Sequence, residues 1–320
     1  MPDPQAAPTL LTRVDRMTVV CVPDAEAVQL LGDLPEGVEV VAWNGEPERP
    51  AGLERTRFWV PQVEDSTDLE NKLAAMPDLE VVQLLSAGVE DVLGKFPDGV
   101  QLCDARGVHG GPVSELVLAM ILATFRQLPH FVQAQERGAW EDAQGEDLID
   151  KSVLIVGAGD LGEQTAKRLR GFDANPVLVA HSARDGVHAT SELPDLLPHA
   201  DVVVLTVPLT PDTEGMVDAA FLAAMPDDAL LVNVARGKVV DTDALLAELT
   251  SGRLRAALDV VEPEPLPEGH PLWQAPNLLL TPHAAGHVKE SGARAYALVR
   301  AQVERFVKGE DLQNVVTGAY

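Results

Sequence analysis

Cysteine is nearly absent. The 320 residues hold two, Cys21 and Cys103, and both sit inside apolar runs of strand character. This argues against a disulfide-stapled fold or a thiolate metal cage, and leaves two reduced, structural thiols. Basic residues are scarce as well: 24 Lys and Arg, seven of them lysine, stand against 50 Asp and Glu, for a formal charge of -26. A field of that sign repels phosphate backbones and anionic lipid, so neither a nucleic-acid nor a membrane-surface partner is expected. It repels anionic small molecules too, so a carboxylate ligand must be captured by a local cluster of donors. No apolar run reaches the roughly 20 residues needed to cross a bilayer. The first sixteen residues lack the basic start and long apolar stretch of a signal peptide, and a cytoplasmic location is expected. The acidic, lysine-poor composition fits a salt-rich habitat, and equally a soluble surface from a genome that favours Arg, Ala and Pro.

What is present is a globular chain, 46% apolar and 23% charged, long enough for two domains of ordinary size. From Met17 to Cys103 the β-rich runs MTVVCV, VEVVAW, TRFWV, LEVVQLL and VQLCD alternate with stretches of helical spacing. From Lys151 the alternation restarts with SVLIV, PVLVA, DVVVLTV, ALLVNV, RAALDV and NLLLT. Strands alternating with helices predict an α/β fold of two doubly wound parallel-sheet domains, the second the larger. Between them VSELVLAMILATFRQL, residues 113–128, is apolar almost all the way round and predicts a helix covered on several sides, either packed between the two domains or, the favoured reading, at the subunit interface of a homodimer. Gly107, Gly110, Gly111 and Pro112 before it, and Ala284, Ala285 and Gly286 near the other end, are candidate hinges. His109 stands among the first group with no assigned role. A helical segment after Gly286, running to about Lys308, is too short to form a domain. It returns most simply to the first one. The expected division is 1–108 with 287–320 for a discontinuous, flavodoxin-like substrate domain, and 109–286 for an inserted Rossmann domain.

The run VLIVGAGDLGEQTAKRLRGF sets Gly157, Gly159 and Gly162 directly after a strand pattern and before a helical one. The first glycine permits the tight turn, the second lets a pyrophosphate approach the backbone, and the third lets helix and strand pack closely. With Asp160 and Leu161 the turn opens a helix whose free N–H groups and positive dipole end suit a diphosphate. The next strand, PVLVAHSAR, ends where an acidic side chain would accept from the ribose 2'-hydroxyl of NAD. His181, Ser182 and Arg184 occupy that stretch instead, so NADP is expected over NAD, with Arg184 as partner of the 2'-phosphate.

Three side chains in separate contexts carry the chemistry: Arg236 in VNVARG, Glu264 in LDVVEPEP and His283 in TPHAAG. Each follows a strand run, and the strand ends with their following loops form the ligand crevice of a doubly wound sheet. A histidine donates or accepts a proton near neutral pH, and a carboxylate accepting from its second ring nitrogen orients the ring and favours its charged form. The arginine fork binds a carboxylate at two points and stabilises negative charge developing on a neighbouring carbonyl oxygen. Asp259 ends its strand too, and either holds a nicotinamide carboxamide or caps the following loop.

The motifs GAGDLG, VPLTPDTEGMV, NVARGKVVD, LDVVEPEPLP, HPLWQAPN and TPHAAG together resemble those of the D-2-hydroxyacid dehydrogenase family, from about Leu84 to about Gly286. The resemblance implies that Arg236 is the substrate arginine, Glu264 the partner of the histidine and His283 the acid/base. It places Val207 and Pro208 at the cofactor and assigns the backbone amides of Ser86, Ala87 and Gly88 to the substrate carboxylate. It implies a dimer with a closing cleft, transferring hydride between NAD(P)H and C2 of a small 2-keto acid, in the manner of glyoxylate or hydroxypyruvate reductases. Glu264 disfavours the formate dehydrogenase branch, which carries glutamine there. His181 departs from the family's usual acid. The rival reading is a dinucleotide-sensing, corepressor-like binding protein, against which the acidity and the lack of long disordered tails argue.

Overall fold

The computed structural model describes residues 17–62 and 68–318. The first sixteen residues, where no signal peptide is expected, lie outside the described residues, as do 63–67 and 319–320. The described residues form two compact units, one running up to Val108 and resuming at Lys289, the other spanning His109–Val288.

The first unit opens with β1 (Thr18–Val22), α1 (Ala25–Leu31), β2 (Val38–Ala42), β3 (Thr56–Trp59), α2 (Leu69–Ala75), β4 (Val81–Gln83) and β5 (Gln101–Cys103). Its strands are all parallel, in the spatial order β2-β1-β3-β4-β5, the flavodoxin-like winding. Alternate residues of a strand face opposite sides, and here both sides are covered. Val19 and Cys21 join one apolar cluster with Trp59 and Val82, while Val20 and Val22 join another with Phe58 and Val81. Both thiols lie in this core, and burial pushes each up to about 12.

The second unit contains α3 (Gly110–Phe125), α4 (Leu128–Glu136), β6 (Ser152–Val156), α5 (Asp160–Arg170), β7 (Asn175–Ala180), β8 (Val187–Ala189), α6 (Leu193–Leu196), β9 (Val202–Leu205), α7 (Ala219–Ala224), β10 (Leu230–Asn233), α8 (Thr242–Ser251), β11 (Arg255–Leu258) and β12 (Leu278–Leu280). All seven strands are parallel, in the order β12-β11-β10-β9-β6-β7-β8. The direction of winding reverses between β6 and β9, which makes that point the crevice of a Rossmann sheet. Leu154 and Val156 pack on one side, Val153 and Ile155 on the other. The continuous Val, Leu and Ile runs follow from that two-sided burial. The last helix, α9 (Ser291–Lys308), belongs to the first unit, where Tyr296, Val299, Val303 and Phe306 at helical spacing complete one cluster.

All eleven strand runs form strands, and the described residues add a twelfth, β8, three residues long at the sheet edge. The apolar helix sits three residues earlier than 113–128. Gly110, Gly111 and Pro112, expected as a hinge, form its first turn, where a proline costs no hydrogen bond. It stops at Phe125 because Gln127 takes a left-handed φ of 55° and Pro129 opens α4. One face of α3 packs on the dinucleotide unit's core through Val117, Met120, Ile121 and Phe125. No single helix among the described residues is long and apolar enough to cross a membrane.

Candidate active site

The second unit's candidate residues all lie beyond the carboxyl ends of its parallel strands, or at the first turn of the helix that follows β6. Parallel pairing carries them to one edge of the sheet. Gly157 follows β6 with φ 118°, and a Cβ there would lie 2.7 Å from the carbonyl carbon of Thr206. A Cβ on Gly162 would lie 1.9 Å from the carbonyl oxygen of Gly157. The turn and the first coil of α5 therefore close only without side chains. Thr206, just past β9, donates its hydroxyl to the Gly157 carbonyl at 2.8 Å and fixes the turn from the other side of the switch point.

Gly159 is the N-cap of α5, with no side-chain capping bond, and a Cβ on it would meet nothing within 4 Å. An open cradle above uncapped helix N–H groups fits an anionic diphosphate. Asp160 and Leu161 occupy the first turn; the Asp160 carboxylate packs so tightly on Gly110 of α3 that a Cβ there would lie 2.1 Å from it. At the end of β7, His181, Ser182 and Arg184 are exposed. Arg184 turns back to the glycine turn, its guanidinium donating to the Ala158 carbonyl at 2.6 Å. Val207 is half-buried beyond β9, and exposed Pro208 accepts from the Thr213 hydroxyl at 2.6 Å.

Arg236 is half-buried in the turn after β10 and donates from Nη1 to the Ala235 carbonyl at 2.7 Å. The next residue must be glycine, because a Cβ on Gly237 would lie 1.8 Å from the Val261 carbonyl oxygen. That packing sets the Arg236 turn against the loop after β11, which carries Glu264.

The Glu264 carboxylate lies 2.8 Å from His283 Nδ1. Nδ1 donates to the carboxylate, which leaves Nε2 for proton transfer, on a side chain 51% exposed. His283 adopts a left-handed φ of 50°, a conformation that costs a non-glycine residue about 1–2 kcal/mol. Asp259 holds it there. Its backbone carbonyl accepts from the His283 N–H at 2.7 Å. Its buried carboxylate accepts from the Thr281 hydroxyl at 2.5 Å and from the amides of Ala284 at 2.8 Å and Ala285 at 3.1 Å. These bonds cap the loop that carries His283.

In the first unit Ser86, Ala87 and Gly88 follow β4, with the Ser86 hydroxyl donating to the Gly88 carbonyl at 2.9 Å. His109 is the N-cap of α3 and would contact a Cβ on Gly286 at 3.5 Å. Three contributors to the site escaped the sequence reading: Asn233, Thr206 and Gly237. The NVARG motif held the signal for two, since an asparagine three residues before an arginine at a strand end is well placed to bridge the turn between them.

Residues 118–285, more than half of the chain, match the family profile described as D-isomer specific 2-hydroxyacid dehydrogenase, NAD binding domain. The chain belongs to that family. It is 33% identical over 261 residues to the glyoxylate reductase of Thermofilum pendens, covering 77% of each chain. It is also 33% identical over 251 residues to the D-3-phosphoglycerate dehydrogenase of Methanocaldococcus jannaschii, covering 74% of this chain and 47% of that one, so it spans about half the length of that longer relative. Among solved structures, it superposes on the NADPH-dependent glyoxylate/hydroxypyruvate reductase of Sinorhizobium meliloti, determined with NADP and sulfate. There the TM-score is 0.78 at 30% identity, over 93% of this chain and 98% of that one. The cofactor class is a nicotinamide dinucleotide, which the glycine turn fits.

Proposed function

We propose that this dehydrogenase is an NADPH-preferring reductase that converts small 2-keto acids, glyoxylate or hydroxypyruvate, to the D-hydroxy acid. The observation that carries the reading is the 2.8 Å pairing of Glu264 with His283 at the strand-end edge of the dinucleotide-binding sheet. The cofactor, when bound, supplies the hydride that adds to C2 of the keto acid. His283 delivers a proton from Nε2 to the carbonyl oxygen, and Glu264 keeps the ring in the tautomer and orientation that allow it. Arg236 holds the substrate carboxylate and stabilises the charge gathering on the reducing carbonyl. The amides of Ser86, Ala87 and Gly88 are assigned to carboxylate binding as well, and Gly157, Gly159, Asp160, Leu161, Gly162, Val207 and Pro208 to the dinucleotide.

The NADP preference is supported by the absence of an acid at the end of β7 and by Arg184 beside the glycine turn, with most of its donors left for a 2'-phosphate. The substrate size is supported by the glyoxylate and hydroxypyruvate reductases among the relatives. The homodimer is supported by exposed apolar residues on and after α4, Leu128 at 49%, Val132 at 56% and Trp140. Two buried free thiols fit a reducing cytoplasm.

A panel of 2-keto acids assayed with NADPH and NADH, alongside Arg184→Ala, tests this. The expected result is a higher kcat/KM with NADPH, greatest for glyoxylate or hydroxypyruvate. In Arg184→Ala the NADPH value should drop about tenfold while NADH is unchanged, as for loss of one charged hydrogen-bonding partner. Faster turnover with NADH overturns the cofactor preference, and no turnover on any keto acid overturns the activity.

A further inference from the structure

The Arg236 turn is held from beneath by a side chain that has no route to substrate. Asn233 ends β10 and is fully buried. Its Oδ1 accepts from the Ala235 N–H at 3.0 Å, and its Nδ2 donates to the Arg236 carbonyl at 3.0 Å. Ala235 is thus tied on both sides of its Cα: Asn233 holds its N–H, and its carbonyl accepts from Arg236 Nη1 at 2.7 Å. A shift of the asparagine amide passes through one residue, Ala235, to the guanidinium. Asn233 is linked also to the histidine side of the site, because its backbone carbonyl accepts from the Asp259 N–H at 2.9 Å. Asn233 and Asp259 stand at the ends of adjacent strands, each with its polar side-chain atoms bonded to one functional loop.

A purely structural asparagine would be replaceable wherever the fold survives. The bonds of Asn233 differ in that both amide atoms serve the two residues that anchor one guanidinium, and no other element among the described residues uses them. A buried amide satisfied on both atoms is a rigid support, since moving either partner leaves a polar group unpaired in the interior.

We infer that Asn233 is a positioning residue for Arg236, setting the affinity for the 2-keto acid carboxylate without touching it. The inference rests on the proposed role of Arg236. Two variants separate the bonds. In Asn233→Ser the hydroxyl still accepts from the Ala235 N–H but falls short of the Arg236 carbonyl. In Asn233→Asp the carboxylate accepts from the same N–H and cannot donate to the carbonyl until it is protonated.

The measurements are KM and kcat for glyoxylate, the Kd of the unreactive keto-acid analogue oxamate with NADPH present, the Kd of NADPH alone, and the same set for Arg236→Ala. Both Asn233 variants are expected to weaken oxamate and raise KM about tenfold, as for one buried hydrogen bond lost, with NADPH binding within twofold of the parent. The Asn233→Asp defect, taken as a ratio to the parent at each pH, shrinks toward acid as the buried carboxyl gains its proton and donates again; Asn233→Ser shows no such recovery. If Arg236→Ala loses oxamate while both Asn233 variants bind it normally, the inference is wrong and the Arg236 assignment stands. Equal losses of NADPH and oxamate also overturn it, since they report a general collapse of the fold. If Arg236→Ala itself binds oxamate normally, the arginine assignment fails instead.

Discussion

Replacing Asp259 by asparagine changes one atom and should silence the enzyme without removing its cofactor. The Asp259 carboxylate, 3% exposed, accepts three hydrogen bonds from Thr281, Ala284 and Ala285. Its asparagine isostere keeps one oxygen acceptor and turns an N–H toward an amide that needs an acceptor. A bond to a charged group contributes about 1.5–3 kcal/mol, and an orphaned donor costs a comparable amount. Because the loop can recover part of this from water, we expect a net loss of about 2–4 kcal/mol. In a domain of this size that lowers Tm by roughly 5–12 °C. The left-handed φ of His283 adds about 1–2 kcal/mol in favour of the loop relaxing once the clamp weakens. A proton donor displaced by about 1 Å loses on the order of a hundredfold in rate, so kcat should fall by about that factor while the Kd of NADPH stays within threefold. Stopped-flow oxidation of NADPH, with cofactor titration by fluorescence, reads both. A variant with normal kcat and a sharply raised NADPH Kd would refute the reasoning and make Asp259 a cofactor ligand.

Two further outcomes follow from particular contacts. Gly162→Ala places a methyl where the Gly157 carbonyl oxygen lies 1.9 Å away, so NADPH binding should be abolished and Tm lowered; calorimetric titration giving the parental Kd would contradict the turn geometry. Glu146, at the opposite edge of the sheet, bonds Lys151 at 3.0 Å and Arg255 at 2.6 Å. Burial pushes its carboxyl up, but these hydrogen bonds and charges outweigh it and hold the group below the ordinary carboxylate range. A lowered folded-state value stabilises above the unfolded pKa, near 4.3, and the benefit is lost as pH falls through the folded value. Glu146→Gln should therefore melt below the parent at pH 7 and converge with it in acid. A gap that stays constant down to pH 3 would contradict the assignment.

Much of this was legible in the sequence for physical reasons that differ by element. Continuous Val, Leu and Ile runs mark strands buried on both faces, which is why β6, β9 and β10 were readable, whereas β8, with His188 at its centre, had neither length nor apolar content to announce it. The glycine turn was legible because steric exclusion allows no other residue at Gly162. The partnership of Glu264 and His283 was readable from their motif contexts, though they stand 19 residues apart. The left-handed backbone of His283 was not, since nothing local requires it; it is imposed by Asp259 from another strand. Asn233 escaped for the same reason. Its importance lies in which atoms its amide meets, and the strand pattern explains its burial equally well. The end of α3 was misplaced because Arg126 and Gln127 are good helix formers and the break comes from the left-handed Gln127 ahead of Pro129.

The kcat of His283→Ala on glyoxylate with saturating NADPH, measured beside its NADPH Kd, tests the central claim most directly. Removal of the only proposed proton donor should lower kcat by about three orders of magnitude, in line with the contribution of a positioned acid, with the cofactor bound as tightly as in the parent. Turnover within a few fold of the parent would show that the imidazole held by Glu264 is not the acid of this reaction.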